Sequence, residues 1–237
     1  MKDLGITIDS ALSFDGHIQN TVSKANRMAG LIRRSFVFLD EDIFKRLFKA
    51  FVRPHLEYGH AVWNPHKSKH VDALENVQRR ATRCIPSLKG LSYVDRLKKL
   101  QLPTLVYRRA RGDMIETYKI LNQYDPDVTP KLQLHAHTIT RGHAQKLSKL
   151  RANKNPRKHF FTFRICNMWN SLPGHVVESK DVLQFEKRLD LWWQNLDFKF
   201  DYKVPPPDRA NSSDVRRYYQ ELDLEEHLIL RPEFNLK

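Results

Sequence analysis

The sequence predicts a mainly α-helical protein: a helix-bundle core with a short N-terminal orphan strand, a long basic loop and a smaller helical C-terminal part. Three observations predict this. Apolar residues recur at spacings of three and four through residues 10–122 and again through 159–200, the period of a helix with one buried face. Serine, threonine or aspartate stands where the stripes of the first region begin, as helix N-termini require. Strand character is confined to residues 4–8, where Ile6 and Ile8 are β-branched.

Taken in order, residues 4–8 read as an edge strand whose partners are missing, and residues 9–13 as a turn. Ser13 caps a long helix with Phe14, Ile18, Val22, Ala25, Ala29, Ile32 and Phe36 on one face and Arg27 and Arg34 opposite. Asp40 caps a second helix, with Ile43, Phe44, Leu47, Phe48 and Phe51 as its apolar set, and Pro54 ends or bends it. A short helix runs to Trp63, and Asn64-Pro65 breaks it. Ser68 caps a helix to Cys84. Its Val71, Leu74, Val77, Ala81 and Ile85 share one face; Lys69, Arg79, Arg80 and Arg83 roughly share the other. Ser92 caps a short helix to Gln101. Thr104 caps one to Asn122, with Val106, Tyr107, Ala110, Met114, Tyr118 and Leu121 on its buried arc.

Residues 123–158 differ in kind. Asp125-Pro126 and Thr129-Pro130 are turn signals, Leu132, Leu134 and Ala136 alternate weakly, and the rest is polar and cationic. This reads as a loop or loose hairpin, and loops of this length are usually functional or disordered. An aromatic-rich helix follows over residues 160–170. Val182, Phe185, Leu189, Trp192, Trp193 and Leu196 mark another helix, residues 205–207 form a stiff proline linker, and residues 213–226 form a tail helix.

The net charge of +14 favours a polyanionic partner. The charge is clustered: residues 41–110 carry 15 Lys/Arg against 6 Asp/Glu, and residues 131–165 carry 9 Lys/Arg and no acid. Two basic blocks separated by near-neutral chain look more like a footprint than a uniform coat, although a basic protein with solvated lysines is the plainer reading. Cys84 and Cys166 suit reduced core thiols of an intracellular protein, in cytoplasm or nucleus, rather than a disulfide framework. No apolar run approaches the ~20 residues of a membrane span, and the N-terminus lacks a signal-peptide layout.

Catalytic patterns are sparse. A polymerase needs two or three carboxylates converging on two metal ions. The nearest approach to a Tyr-x-Asp-Asp turn is Tyr93-Val94-Asp95-Arg96, whose last position is basic and which opens a helix, where Asp95 favours the dipole. Asp40-Glu41-Asp42 reads the same way. His135, His137 and His143 have no nearby cysteine to complete a zinc site. No phosphate-cradling glycine loop is present. No metal, cofactor or catalytic residue is expected.

Several stretches together resemble a known family. Leu-Gly-Ile-Thr-Ile-Asp (4–9), Arg-Pro-His-Leu-Glu-Tyr (53–58), Gln-Arg-Arg-Ala-Thr-Arg (78–83) and Trp-Asn-Ser-Leu-Pro (169–173) occur in that order, with supporting stretches at 25–34, 107–114, 140–147 and 160–173. This ordered set resembles the C-terminal part of the reverse transcriptase of non-long-terminal-repeat retrotransposons, of the jockey-like and chicken-repeat-like kind. The resemblance covers most of the chain.

The resemblance implies a remnant of the last palm strand at 1–9, a helical thumb-like domain at 10–122, the basic loop at 123–158, a helical C-terminal region at 159–200, and a proline-containing linker and tail at 201–237. It implies an RNA-directed DNA polymerase fragment whose catalytic palm would lie upstream of residue 1. In that family the thumb grips the primer–template duplex through backbone contacts. The expected partner is RNA, DNA or a hybrid duplex. The expected contacts are Arg33, Arg34, Lys69, Arg79, Arg80, Arg83, Arg108, Arg141, Lys146, Lys149, Arg151, Lys154, Arg157 and Lys158. For Arg109 and Arg111, pairing with Asp113 and Glu116 is an equal alternative. Two rival readings stand beside this: a subunit completing a separate palm in trans through the strand at 4–8, and a protein-interaction module using Trp192 and Trp193. For Trp169, Trp192 and Trp193, core packing is favoured over base stacking.

Overall fold

A single carboxylate organises the start of the helical chain. The computed structural model describes residues 1–36, 38–127, 129–135, 143–149, 152 and 155–207; the expected tail helix lies outside them. Lys2–Asp3 (β1) and Ile6–Thr7 (β2) pair antiparallel across Leu4 and Gly5, both at positive φ. The strand expected to be an orphan therefore has its partner within the chain. Its outer edge is also occupied, since Thr7 N–H donates to His17 Nδ1 at 3.3 Å. Ile6 is buried in the first core. Asp9 then accepts from the backbone N–H groups of Ala11, Ser13 and Phe14, which hold its carboxyl below the usual carboxylate range, Ser13 foremost. Asp9, not Ser13, thus sets the entry to the helix Asp15–Ser35 (α1). Ile18, Ala25 and Ile32 of the expected stripe are buried, and Phe36 at its end is exposed.

Asp40 caps Glu41–Leu47 (α2), its Oδ1 accepting from Ile43 N–H at 2.7 Å. The helix does not stop at Pro54. It passes through a π turn, Phe48–Val52, into Arg53–Glu57 (α3), where Pro54 lies in the first turn. A proline has no N–H and collides with the carbonyl four residues back, and a wider π turn accommodates it. The added residue rotates the stripe, so Val52 and Leu56 are buried while Phe51 is half exposed. Gly59 (φ +65°) carries the chain into His60–Trp63 (α4); a Cβ there would lie 2.7 Å from Ile6.

Ser68–Thr82 (α5) runs parallel to α1, both N-termini meeting at Asp15, which takes Lys67, Lys69 and His70. Ser68 is its first residue and does not cap it. Tyr93–Leu100 (α6) and Leu105–Asn122 (α7) are capped by Ser92 and Thr104 as expected. The first core gathers α1 to α6 and ends at Leu105.

The second core is built from α7 with Phe161–Asn170 (α9), Gly174–Val177 (α10), Val182–Trp192 (α11) and the 3₁₀ turn Asp197–Lys199. Helix α7 is therefore shared with the C-terminal region rather than closing the N-terminal bundle. Trp169, Phe185, Leu189 and Trp193 are fully buried in this core, and Tyr118 stacks on Phe185 at 4.5 Å. The base-stacking and protein-docking roles weighed for Trp169 and Trp193 lose their surface accordingly.

The loose hairpin forms in part: Leu134 bridges Leu147, with His135 N–H on the Lys146 carbonyl and Ser148 N–H on the Gln133 carbonyl. Its tie to the core is Asn170, which accepts from Leu147 N–H at 2.7 Å and donates back to Leu147 O at 2.9 Å. Beside it, Trp169 Nε1–H donates to Gln145 O. The Trp-Asn pair of the 169–173 stretch thus acts as a surrogate strand for the hairpin. A short helix, Asn155–His159 (α8), stands inside the segment read as loop.

One buried ion pair locks these parts. Arg164 holds Asp113 with Nε on Oδ2 and Nη2 on Oδ1, both at 2.8 Å, and Nη2 also donates to Ala61 O at 2.9 Å. Asp113 is 1% exposed. Removing one partner of such a pair leaves a buried charge uncompensated, so Asp113→Asn or Arg164→Met should lower unfolding free energy by about 3–5 kcal/mol in urea titration. Gly112, beside it, has no room for a methyl: an added Cβ would lie 2.6 Å from the His60 ring, which Glu57 O and Asp113 hold in place. Gly112→Ala should therefore lower the melting temperature, although alanine is better by about 1 kcal/mol in a helix interior; a raised melting temperature would contradict this packing.

Candidate nucleic-acid interface

The structure sorts the basic residues into those neutralised internally and those left to solvent. Arg108 belongs to the first group: Nε and Nη2 each donate to the Glu57 carboxylate at 2.9 Å, and this pairing raises its pKa. Arg111 is fixed between Asp190 and Glu186. Arg109 is buried against Asn64 Oδ1, and burial lowers its pKa. The partners of Arg111 lie on α11, not at Glu116 as its local sequence suggested. A compact row of arginines at the start of α7 is thus structural.

Buried Glu75 explains another part of the basic helix α5. Its Oε1 accepts from Tyr93 O–H at 2.7 Å and its Oε2 from Leu105 N–H at 3.1 Å, and burial pushes its carboxyl up. Arg79 follows it inward. Its guanidinium lies 5.3 Å from the Tyr93 ring centroid and 5.4 Å from that of Tyr202, and donates to Tyr202 O–H at 2.6 Å. Arg79 is half-buried between two rings and departs from the free cationic face expected of it.

Arg80 and Arg83 remain exposed, as do Arg33 and Arg34. Since α1 and α5 start together at Asp15, their C-terminal ends lie together; Arg33, Ala81 and Cys84 line one small cavity there. Four arginines at two adjacent helix C-termini complement the negative ends of both dipoles. They also present a concentrated positive surface. Lys69 is exposed on the same α5 face, about 21 Å away along the axis at 1.5 Å per residue.

The two basic blocks meet at a contact that no sequence spacing announced. His66, just before α5, stacks on His159 at the end of α8 with ring centroids 4.4 Å apart and planes 10° from parallel. The stack joins the stretch that carries Lys67 and Lys69 to the one that carries Arg157 and Lys158. The acid at this junction is Asp15, already shared by Lys67, Lys69 and His70, with Lys67 the foremost cause of its strongly lowered pKa. Arg157 and Lys158 are exposed, and Arg157 lies over the Phe163 ring at 5.3 Å. Lys149 is exposed with Nζ 3.3 Å from Asn167 Oδ1, and Lys146 is half-buried. Arg141, Arg151 and Lys154 lie outside the described residues.

The motifs weighed for catalysis take structural places. Asp95 receives the Ser92 hydroxyl at 2.5 Å at the head of α6. Asp40 caps α2, Glu41 joins Ser87 and Lys99, and Asp42 pairs with Lys45. His143 is buried, with Nε2–H donating to Trp169 O, while His137 lies outside the described residues. Cys84 and Cys166 are free thiols. Among the described residues, no group of three or more His, Cys, Asp or Glu is placed to hold a metal, and no helix is long and apolar enough to cross a membrane.

No protein-family profile matches the chain, and no solved structure matches it. It is similar to a protein of Caenorhabditis elegans, Uncharacterized protein B0403.1, at 27% identity over 136 residues, covering 54% of this chain and 68% of the nematode protein.

His66 and His159 are both exposed, and desolvation where the two rings stack lowers both pKa values, with Lys67, His70 and Asp15 facing the first and His66, Lys158 and Arg164 the second. Burial likewise lowers His17 and His143, and brings His175 down to about 4. Each ring takes up a proton more readily when unfolded, so the stability it contributes is complete above the unfolded histidine value of about 6.5 and is lost as pH falls from there toward 4. The urea midpoint should accordingly be lower at about pH 5 than at about pH 7. His66→Phe, which keeps the stack and removes one titrating ring, should narrow that difference.

Proposed function

We propose that this chain binds the phosphate backbone of nucleic acid without sequence preference, in the manner of the thumb and following region of a non-long-terminal-repeat retrotransposon reverse transcriptase, and has no polymerase chemistry of its own. The observation that carries the reading is the union of the two basic blocks across the His66–His159 stack. From Arg83 and Arg80 along α5 to Lys69, then across the stack to Lys158 and Arg157, exposed cations succeed one another. Asp15, the acid at the crossing, is already held by its neighbours. A rise of about 21 Å along α5 alone spans roughly six phosphates of one strand, at about 3.4 Å per charge.

The ordered motifs support the same reading from a different side. Several of them have structural work: residues 53–58 form α3, which leaves the π turn with Pro54 in its first turn, residues 107–114 carry the Asp113 lock, and Trp169-Asn170 anchor the basic hairpin.

Fluorescence anisotropy with a DNA–RNA hybrid over a salt series tests the proposal. Affinity should fall steeply and linearly on a log–log scale. The double reversal Arg80→Glu/Arg83→Glu should weaken binding alike for all sequences and reduce the salt slope by about 1 for each phosphate no longer neutralised. Arg79 is unsuited to this test, since its reversal would break the Tyr93–Tyr202 sandwich. Absence of binding at about 50 mM salt, or binding indifferent to salt, would overturn the reading.

A further inference from the structure

We infer that the cleft between the basic hairpin and α9 is a receptor for a single phosphate group. It shares Arg157 with the surface described above but does not rest on the nucleic-acid reading, because it stands on its own walls. The cleft encloses about 220 Å³ and is lined by Lys131, Leu132, Gln133, Leu147, Ser148, Arg157, Thr162, Phe163 and Cys166. That volume is below the ~300–1,000 Å³ of sites for drug-sized ligands and cofactors, and fits a small charged group with attendant water.

The chemistry of the walls selects the charge of the occupant. Two cations, two hydroxyls and one carboxamide line the cleft, and among the described residues no carboxylate does. Neither Lys131 nor Arg157 has an acidic partner among the described residues, unlike Arg108, Arg111 and Arg164, each of which is neutralised internally. Arg157 is oriented by its seat over Phe163. Ser148 is placed by the hairpin register through its N–H on Gln133 O, and Thr162 by the first turn of α9. A guanidinium fork, an ammonium point charge and hydroxyl donors match the oxygens of phosphate. The Cys166 thiol in the wall has a pKa raised by burial, so it adds no competing negative charge near neutrality.

Phosphate here could arrive free or as the end of a strand, and one experiment on the full chain separates these sources. Inorganic phosphate is titrated while the backbone amide resonances of Gln133, Ser148 and Thr162 are followed by NMR. Saturable shifts at these amides are expected, and Lys131→Gln/Arg157→Gln should weaken the affinity about tenfold or more. Both positions are exposed, so the variant should retain its melting temperature; Ser148→Ala, which alters no charge, supplies a second weakened variant. A 5′-phosphorylated trinucleotide that binds more tightly than its unphosphorylated counterpart identifies a strand end as the source. Equal behaviour of the two, with phosphate still saturating, identifies the free anion. No saturable shift with phosphate, or unchanged affinity in the double variant, overturns the inference. The hybrid-binding measurement is independent of this result, because a duplex with unphosphorylated ends can bind the exposed arginines without entering the cleft.

Discussion

The bidentate contact between Arg164 and Asp113 is the constraint on which the architecture depends. It joins α9 to α7, and the same guanidinium reaches the carbonyls of His60 and Ala61, so α4 is fastened at the same point. Its remaining nitrogen donates to His159 O, which sets the end of α8 and with it the ring that stacks on His66. A pair this buried gains little over a well-packed apolar contact, but it tolerates only one geometry. The register between the two cores, and the juxtaposition of the two basic blocks, both follow from it.

Charge in this protein therefore has two uses that composition cannot separate. Arginines at the start of α7 are consumed in cohesion, by Glu57 from α3 and by Glu186 and Asp190 from α11. Arginines at the C-terminal ends of α1 and α5, with Lys149 of the hairpin and Arg157 and Lys158 of α8, are exposed. The division follows the topology. Residues on α7, the helix between both cores, have carboxylates on either side, whereas Arg33, Arg34, Arg80 and Arg83 at the ends of α1 and α5 have no ion-pair partner among the described residues. The surplus positive charge is concentrated at the periphery for this reason, and the proposed phosphate contacts belong to that surplus.

Helical periodicity was legible because each stripe is read within one element: Ile18, Ala25 and Ile32, or Phe185 and Leu189, bury as their spacing requires. The caps at Asp40, Ser92 and Thr104 were legible for the same local reason. Asp9 was missed because it acts across five residues, ahead of the residue that looks like a cap. The π turn was missed because a proline signals interruption, and only the packing of Val52 and Leu56 makes it worthwhile to widen the turn rather than stop. The hairpin's anchor was missed because Asn170 and Leu147 are 23 residues apart.

By itself, the amino-acid order determined the helical class, most element boundaries, the two basic blocks and the core status of Trp169 and Trp193, all of which depend on neighbours within a few turns. Tertiary structure alone decided which arginines are spent on internal carboxylates, that the strand at the N-terminus has its own partner, and that His66 meets His159. Those outcomes require side chains from distant elements to come within a few ångströms, and electrostatic partnership at that range is a property of position in space rather than of position in the chain.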